Sequence, residues 1–232
     1  MKGRIWLIPV TLGGDNYQDV IPSKVLEITR QLRYFIVEDL RSARRYLRLI
    51  DRHFPIDDSV FFELNEHTAE AETARFLDPV INGHDTGLMS EAGMPGIADP
   101  GAIIIAAAHR KHITVTPLPG PSSIIMALTA SGMNGQHFTF NGYLPVKTAE
   151  REERLRELEK KAKDGYSQIF METPYRSHSL LESILKVCRN DTLLCIAEDI
   201  TLTGESVRTK KISEWRSGVP DLKNRLVIFV LQ

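Results

Sequence analysis

The sequence predicts an α/β protein in two lobes: an N-terminal lobe on a mostly parallel sheet and a C-terminal α+β lobe on a mixed sheet. Three observations predict it. Up to residue 117, short apolar runs alternate with helix-length segments, the pattern of strands joined by crossover helices. The stretch "PLPGPSS", 117–123, is the densest Pro/Gly segment and marks a boundary. It divides an N-terminal α/β domain, 1–117, from a C-terminal α+β domain, 118–232. Beyond it the last two of at least five strands are separated only by a short helix, which points to a mixed sheet.

The elements follow in order. Residues 4–9 form an apolar strand ending at Pro9, and a loop with Gly13, Gly14 and Asp15 comes next. Val20–Gln31 reads as a helix, "YFIVE" as a strand, and 38–53 as an amphipathic helix. "DSVFFEL" is a strand, "TAEAETARFLDPV" a helix ended near Pro79, and "TGLMS", 86–90, a short buried strand. Asp99–Pro100 starts a helix, with Asp as cap and Pro at the first helical position, and the helix runs to about Lys111. "ITVTPL" completes the first lobe. In the second, Ser122 or Ser123 caps the helix "IIMALTAS", which Gly132 ends. "HFTFNGY", "SQIFMET", "TLLCIAE", "ESVRTKK" and "RLVIFVL" read as strands, and "RSHSLLESILKVC" as a helix. Residues 148–163 read as a highly charged surface helix with few apolar positions.

Bulk properties exclude several classes. With 232 residues, 42% of them hydrophobic, the chain can bury a real core. A formal net charge of −1 argues against general nucleic-acid coating, so any such contact needs a local basic patch. Cys188 and Cys195 read as two structural thiols in a reduced compartment, and no His/Cys cluster has zinc spacing, so no metal is expected. "MKGRIWLIPV" runs directly into a strand without a signal-like region, and the longest apolar run, "AIIIAAA", is too short to span a bilayer. These features predict a cytoplasmic protein with no membrane contact.

One local patch stands out. On a helix, Arg41, Arg44, Arg45, Arg48 and Arg52 fall within about one third of the circumference, with Ala43, Tyr46, Leu47 and Ile50 opposite. A solvated helix face is the alternative, but such faces mix signs and this one does not. Glu38 and Asp39 lie at the helix start, where the dipole favours acids. Like charges on one face repel, so the arrangement calls for an anionic ligand or for acids from elsewhere.

Familiar catalytic fingerprints are missing: no GxGxxG follows the first strand, and there is no GxxxxGK[ST] and no GxSxG. What remains is a set of Gly/Pro loops after strands: "IPVTLGGD", "SEAGMPGIADPG" and "LPGPSS". Each could be a simple turn. Together, at the carboxyl ends of strands, they outline a ligand cleft in an α/β enzyme for a small molecule.

"GLMSEAGMPGIADPGA", "PLPGPSS" and "NGYLP", in this order and spacing, resemble the tetrapyrrole methylase superfamily of S-adenosylmethionine-dependent methyltransferases. The nearest likeness is to the branch that methylates a ribose 2′-hydroxyl of small-subunit ribosomal RNA. Its "DAGTPxISDPG"-like stretch is matched at 91–101, its "PGPSA"-like turn at 119–123, and its "EDTR"-like stretch in part by Glu38, Asp39 and Arg41. "NEH", 65–67, and "ETPYR", 172–176, echo two further motifs. Three departures stand beside these matches: the first loop is longer, Leu40 replaces a hydroxyl residue, and the chain ends at its last strand.

The resemblance implies a two-lobed tetrapyrrole-methylase-like fold, a cofactor cleft between the lobes, and a homodimer. It implies S-adenosylmethionine contacts at Pro9, Gly93, Met94, Pro95, Ile97, Ser122 and Ser123, and from the second lobe near Met171, Ala197 and Val227. Glu38, Asp39, Arg41 and Glu91, with Glu66, are the catalytic candidates, and Arg41, Arg44, Arg45 and Arg48 the candidate RNA ligands. Partners would be ribosomal RNA or the ribosomal subunit. A methyltransferase for a small molecule such as a tetrapyrrole, and a non-catalytic cofactor-binding protein of the same fold, remain open alternatives.

Overall fold

The structure, a computed structural model, describes residues 2–64, 68 and 70–232. The chain divides into two compact units, Met1–Ser122 and Ser123–Gln232. The first is built on a five-stranded sheet in the order β3-β2-β4-β1-β5. Its strands are β1 (Arg4–Leu7), β2 (Tyr34–Val37), β3 (Val60–Glu63), β4 (Thr86–Met89) and β5 (Thr114–Pro117). All its pairs are parallel. Parallel sheets need cover on both faces. One cover comes from α2 (Ser23–Gln31) and α3 (Leu40–Ile50), whose Val25, Leu26, Tyr46 and Leu47 pack with Phe35 and Val37. The other comes from α5 (Asp78–Ile81) and α6 (Gly101–Arg110), whose Val80, Ile104 and Ala108 pack with Ile5, Leu7 and Leu88.

The second unit carries a mixed sheet in the order β6-β7-β10-β8-β9. Its strands are β6 (Phe138–Tyr143), β7 (Ser167–Glu172), β8 (Leu193–Glu198), β9 (Ser206–Lys211) and β10 (Val227–Leu231). Only β6 and β7 pair in parallel; the others are antiparallel. One face packs on α8 (Thr148–Lys163), α9 (Ser177–Val187) and α10 (Ile212–Ser217) through Leu155, Leu181, Ile184, Trp215 and Phe229. α7 (Ser123–Ser131) covers the other, where Thr209 Oγ1 donates to Ser131 O at 2.8 Å. Gly132 follows it with φ +73°, ending the helix as its sequence predicts. Cys188 and Cys195 are buried free thiols. Burial pushes Cys188 up to about 12 and raises Cys195, so both stay protonated.

Several expectations are corrected. The helix expected over Val20–Gln31 is two, α1 (Tyr17–Val20) and α2, because Pro22 sits at the N-cap of the second. Pro79 does not end a helix; it lies in the first turn of α5, while α4 (Glu70–Phe76) stops before it. Pro100, not Asp99, is the N-cap of α6. Arg52 lies beyond the end of α3, whose C-cap is Asp51. α8 is not a plain surface helix: Leu155, Leu158 and Ala162 are buried, and so are Arg151, Glu152 and Glu159. Its buried charges are answered. Arg151 donates to Ser183 Oγ at 3.0 Å, and Glu159 Oε1 accepts from Thr192 Oγ1 at 2.6 Å. No helix among the described residues is long and apolar enough to cross a membrane.

Candidate active site

In the first sheet the carboxyl ends of β2, β4, β1 and β5 open on one edge, because the strands are adjacent and parallel. This is where open α/β sheets bind ligands. The three Gly/Pro loops leave from that edge and touch one another. Val10 N–H donates to Gly93 O at 3.0 Å, joining the loop after β1 to the loop after β4. A Cβ at Gly120 would stand 2.2 Å from Pro9 Cβ, so only glycine lets the loop after β5 approach the loop after β1. Gly93 has φ +69°, and a Cβ there would press on Leu12 Cδ2 at 3.2 Å and Pro121 O at 3.4 Å. The loop after β4 is held by Asp99, whose carboxylate accepts from Gly96 N and Gly101 N, each at 2.6 Å, and from Ile97 N at 3.1 Å. Of the expected cofactor residues, Pro9, Gly93, Met94, Pro95, Ile97 and Ser122 all lie in these loops, and Ile97 is exposed.

The arginine helix borders the same edge. Asp39 is the N-cap of α3, accepting from Ser42 N–H at 2.6 Å. Hydrogen bonding to Ser42, with Arg41 and Arg45 nearby, holds the Asp39 carboxyl below its usual range. Glu38, the residue before it, behaves oppositely. Burial raises its pKa, and the charges of Asp99, Glu91 and Asp39 raise it further, against a lowering hydrogen bond from Glu91. That bond runs from Glu91 N–H to Glu38 Oε2 at 3.0 Å and ties the turn after β4 to the start of α3. Tyr46 makes a second tie, donating from its buried hydroxyl to Pro9 O at 3.3 Å.

Between these elements lies a cavity of about 300 Å³. Thr11, Gly13, Gly14 and Asp15 of the first loop line it, with Ser42, Arg45, Tyr46 and Leu49 of α3 and Ser90 and Glu91 beyond β4. Arg41, Arg44, Arg45 and Arg48 are exposed, while Ala43, Tyr46, Leu47 and Ile50 are buried beneath. Arg44 rests over the Phe61 ring, 5.5 Å from its centroid, and Arg48 donates to Arg52 O at 2.8 Å. Among the described residues none of these four arginines has a carboxylate within ion-pair distance. Arg45 and Glu91 thus share one cavity with its charges of both signs, while Arg41, Arg44 and Arg48 lie outside its lining. Glu66 lies outside the described residues.

The expected residues of the second unit are not all together. Met171 and Ala197 both pair in register with Ile228, so these three share the face that carries α7. Val227 is flanked by Glu172 and Glu198 and lies in the opposite core with Leu155 and Phe229. Ile228 is the strand neighbour of Met171 and Ala197, one residue from the expected position. Ser123 begins α7.

Comparison with known proteins decides the family. The profile of Tetrapyrrole (Corrin/Porphyrin) Methylases matches residues 17–215. The chain belongs to the tetrapyrrole methylase family. This methylase is 30% identical over 221 residues to a protein of Vibrio cholerae named ribosomal RNA small subunit methyltransferase I, covering 95% of the chain and 73% of the relative. A Streptococcus pyogenes protein of the same name is 32% identical over 213 residues, covering 92% and 70%. The methylase fold is that of the methyltransferase CobJ, with a TM-score of 0.63 at 16% identity, covering 99% of this chain and 93% of that one. A uroporphyrin-III-C-methyltransferase of Thermus thermophilus gives a TM-score of 0.54 at 18% identity, covering 99% and 94%. The chain is a methyltransferase. In this methylase the cavity walls supplied by Thr11, Ser42 and Tyr46 had no fingerprint in the sequence. The usable signal was Tyr46 itself, a polar-tipped ring on the apolar side of the arginine helix.

Proposed function

We propose that the chain transfers the methyl group of S-adenosylmethionine to a ribose hydroxyl of small-subunit ribosomal RNA. One observation carries the RNA reading: four exposed arginines on one helix face, without carboxylate partners among the described residues, one of them lining the cavity that holds Glu91. That is a surface prepared for a polyanion, since guanidinium groups bind phosphate in a fixed fork geometry. The names of the relatives point the same way.

The loops after β1, β4 and β5 suit the cofactor. Gly93 and Gly120 let these loops pack against one another without side chains between them, so a ligand on this edge meets backbone groups and the exposed Ile97. Gly93, Met94, Pro95, Ile97, Ser122 and Ser123 enter the proposal on this ground. Met171 and Ala197 enter from the resemblance, with their strand neighbour Ile228 in place of Val227, whose side chain lies in the core on the opposite face. When bound, S-adenosylmethionine supplies an electrophilic methyl carbon.

The chain's own side chains then have distinct tasks. Arg41, Arg44, Arg45 and Arg48 bind phosphates and set the register of the RNA. A ribose hydroxyl is a weak nucleophile and gains from a base that takes its proton. Glu91, in the cavity wall, is the proton acceptor this geometry favours. Glu38 is a positioning residue that fixes the Glu91 backbone, and Asp39 is occupied in capping α3. The protein acts as a homodimer.

Incubation with methyl-labelled S-adenosylmethionine and small ribosomal subunits tests the reading. Label in RNA that is lost in Glu91→Gln and in the Arg44→Ala, Arg48→Ala variant supports it. Cofactor binding by calorimetry with no label in any RNA rejects the RNA substrate and favours a small acceptor such as a tetrapyrrole.

A further inference from the structure

β7 ends in the turn Thr173–Pro174–Tyr175–Arg176, which leads into α9 and which the proposed function leaves without a role. The turn is closed by Arg176 N–H donating to Thr173 O at 2.9 Å, and Pro174 presets its backbone. Its anchor is Glu172, whose side chain is 0% exposed. Glu172 Oε1 accepts from Arg176 Nη2 at 2.6 Å, Arg176 Nε at 3.0 Å and Thr173 N at 2.7 Å. Its Oε2 is buried and finds no hydrogen-bond partner among the described residues. The guanidinium held in this way lies under the Tyr175 ring, with its carbon 5.7 Å from the centroid. Tyr175 is 76% exposed, the most exposed large apolar or aromatic side chain among the described residues.

A single exposed tyrosine needs no explanation. A buried carboxylate does. Taking a charge out of water is unfavourable unless close pairing offsets it. Here the charge orients one guanidinium, and that guanidinium supports one face of a ring. The other face is left to solvent. The result is an exposed aromatic ring with only two rotatable side-chain bonds and a cation–π contact on one side.

We infer that Tyr175, backed by Arg176, is a stacking platform for an unpaired nucleobase of the RNA substrate. The inference rests on the RNA reading and deepens it. Sequence-specific and single-stranded RNA recognition relies on bases splayed onto aromatic rings and guanidinium planes. The arginine face of α3 contacts phosphates and reads no base. Tyr175 supplies a base contact nearly without charge, because Arg176 is already paired. Glu172 acts here as a positioning residue.

The test uses full-length protein and single-stranded RNA oligonucleotides carrying 2-aminopurine at each position in turn. Wild type is expected to quench one position on binding. Tyr175→Ala should lose that quenching and bind on the order of 5- to 100-fold more weakly, the range for one stacked base. Tyr175→Phe should restore both to within about twofold, because the ring and not the hydroxyl does the stacking. An abasic site at the quenched position should weaken wild type by the same factor and leave Tyr175→Ala unchanged. Equal affinity of Tyr175→Ala and wild type overturns the platform, as does failure of Tyr175→Phe to rescue. If that happens while Arg44→Ala with Arg48→Ala still weakens binding, the RNA reading stands alone. Wild type that binds no RNA overturns both.

Discussion

Glu38 and Asp39 are neighbouring carboxyls with opposite surroundings. Asp39 accepts the Ser42 N–H and its pKa is depressed, so its contribution to stability is present above its unfolded value and is lost as pH falls through the folded one. Asp39→Ala should lower stability by about 1 kcal/mol at neutral pH, read as a lower Tm, and by less in acid. Glu38 has a raised pKa, chiefly from burial. The folded state then holds its proton more tightly than the unfolded chain does. Stability from this group is present below the unfolded value near 4.5 and is lost as pH rises through the folded value. Glu38→Gln removes that titration. The Tm of wild type minus that of Glu38→Gln should therefore fall as pH rises above the ordinary value of 4.5; a flat difference rejects the assignment. The sequence placed both acids at the end of a strand and the start of a helix. What it could not give was the sign of each shift. At Asp39 the cause is local, Ser42 with Arg41 and Arg45, but at Glu38 it is burial joined by the charges of Asp99 and Glu91, fifty or more positions away and brought close only by the parallel pairing of β2 with β4.

At the scale of elements, α3 carries the sharpest test. If its arginines hold phosphates, RNA affinity should fall with salt. Arg44→Ala with Arg48→Ala should flatten that slope by about two units, one per lost contact. Identical slopes would return the helix to an ordinary solvated face. The amphipathic pattern of α3 was legible because its residue types separate cleanly around the axis. α8 was misread because its buried face is half polar: Arg151, Glu152 and Glu159 sit inward with Leu155 and Leu158, and only their partners Ser183, Lys186 and Thr192 make that tolerable. Those partners lie on or after α9, so no local pattern announces them. The prolines were misread for a related reason. Pro22 and Pro79 break long helical patterns, yet each also opens the next helix, where a missing N–H costs nothing. The position of the Gly/Pro loops was legible because each follows a strand of the parallel sheet, and the carboxyl ends of such strands lie on one edge.

At the scale of the molecule, each unit has its own core: two apolar clusters on the faces of the first sheet, one under the second. Light scattering at micromolar concentration should give about twice the 26.2 kDa of one chain; a monomer would reject the homodimer. The order β3-β2-β4-β1-β5 also has a consequence for synthesis. β1 is made first, yet both its neighbours, β4 at Thr86–Met89 and β5 at Thr114–Pro117, are made much later. At the usual elongation rate the interval from β1 to β5 is on the order of 5–20 s. Until β4 is made the run that becomes β1 has no native partner, and until β5 follows it has one on one side only, so part of the loop-closure entropy for its pairing is still unmet. The nascent first unit therefore waits on its own C-terminal strand. Slowing translation should lengthen that exposure, and holding chaperones should be found on ribosome-bound chains shorter than β5 and absent from longer ones.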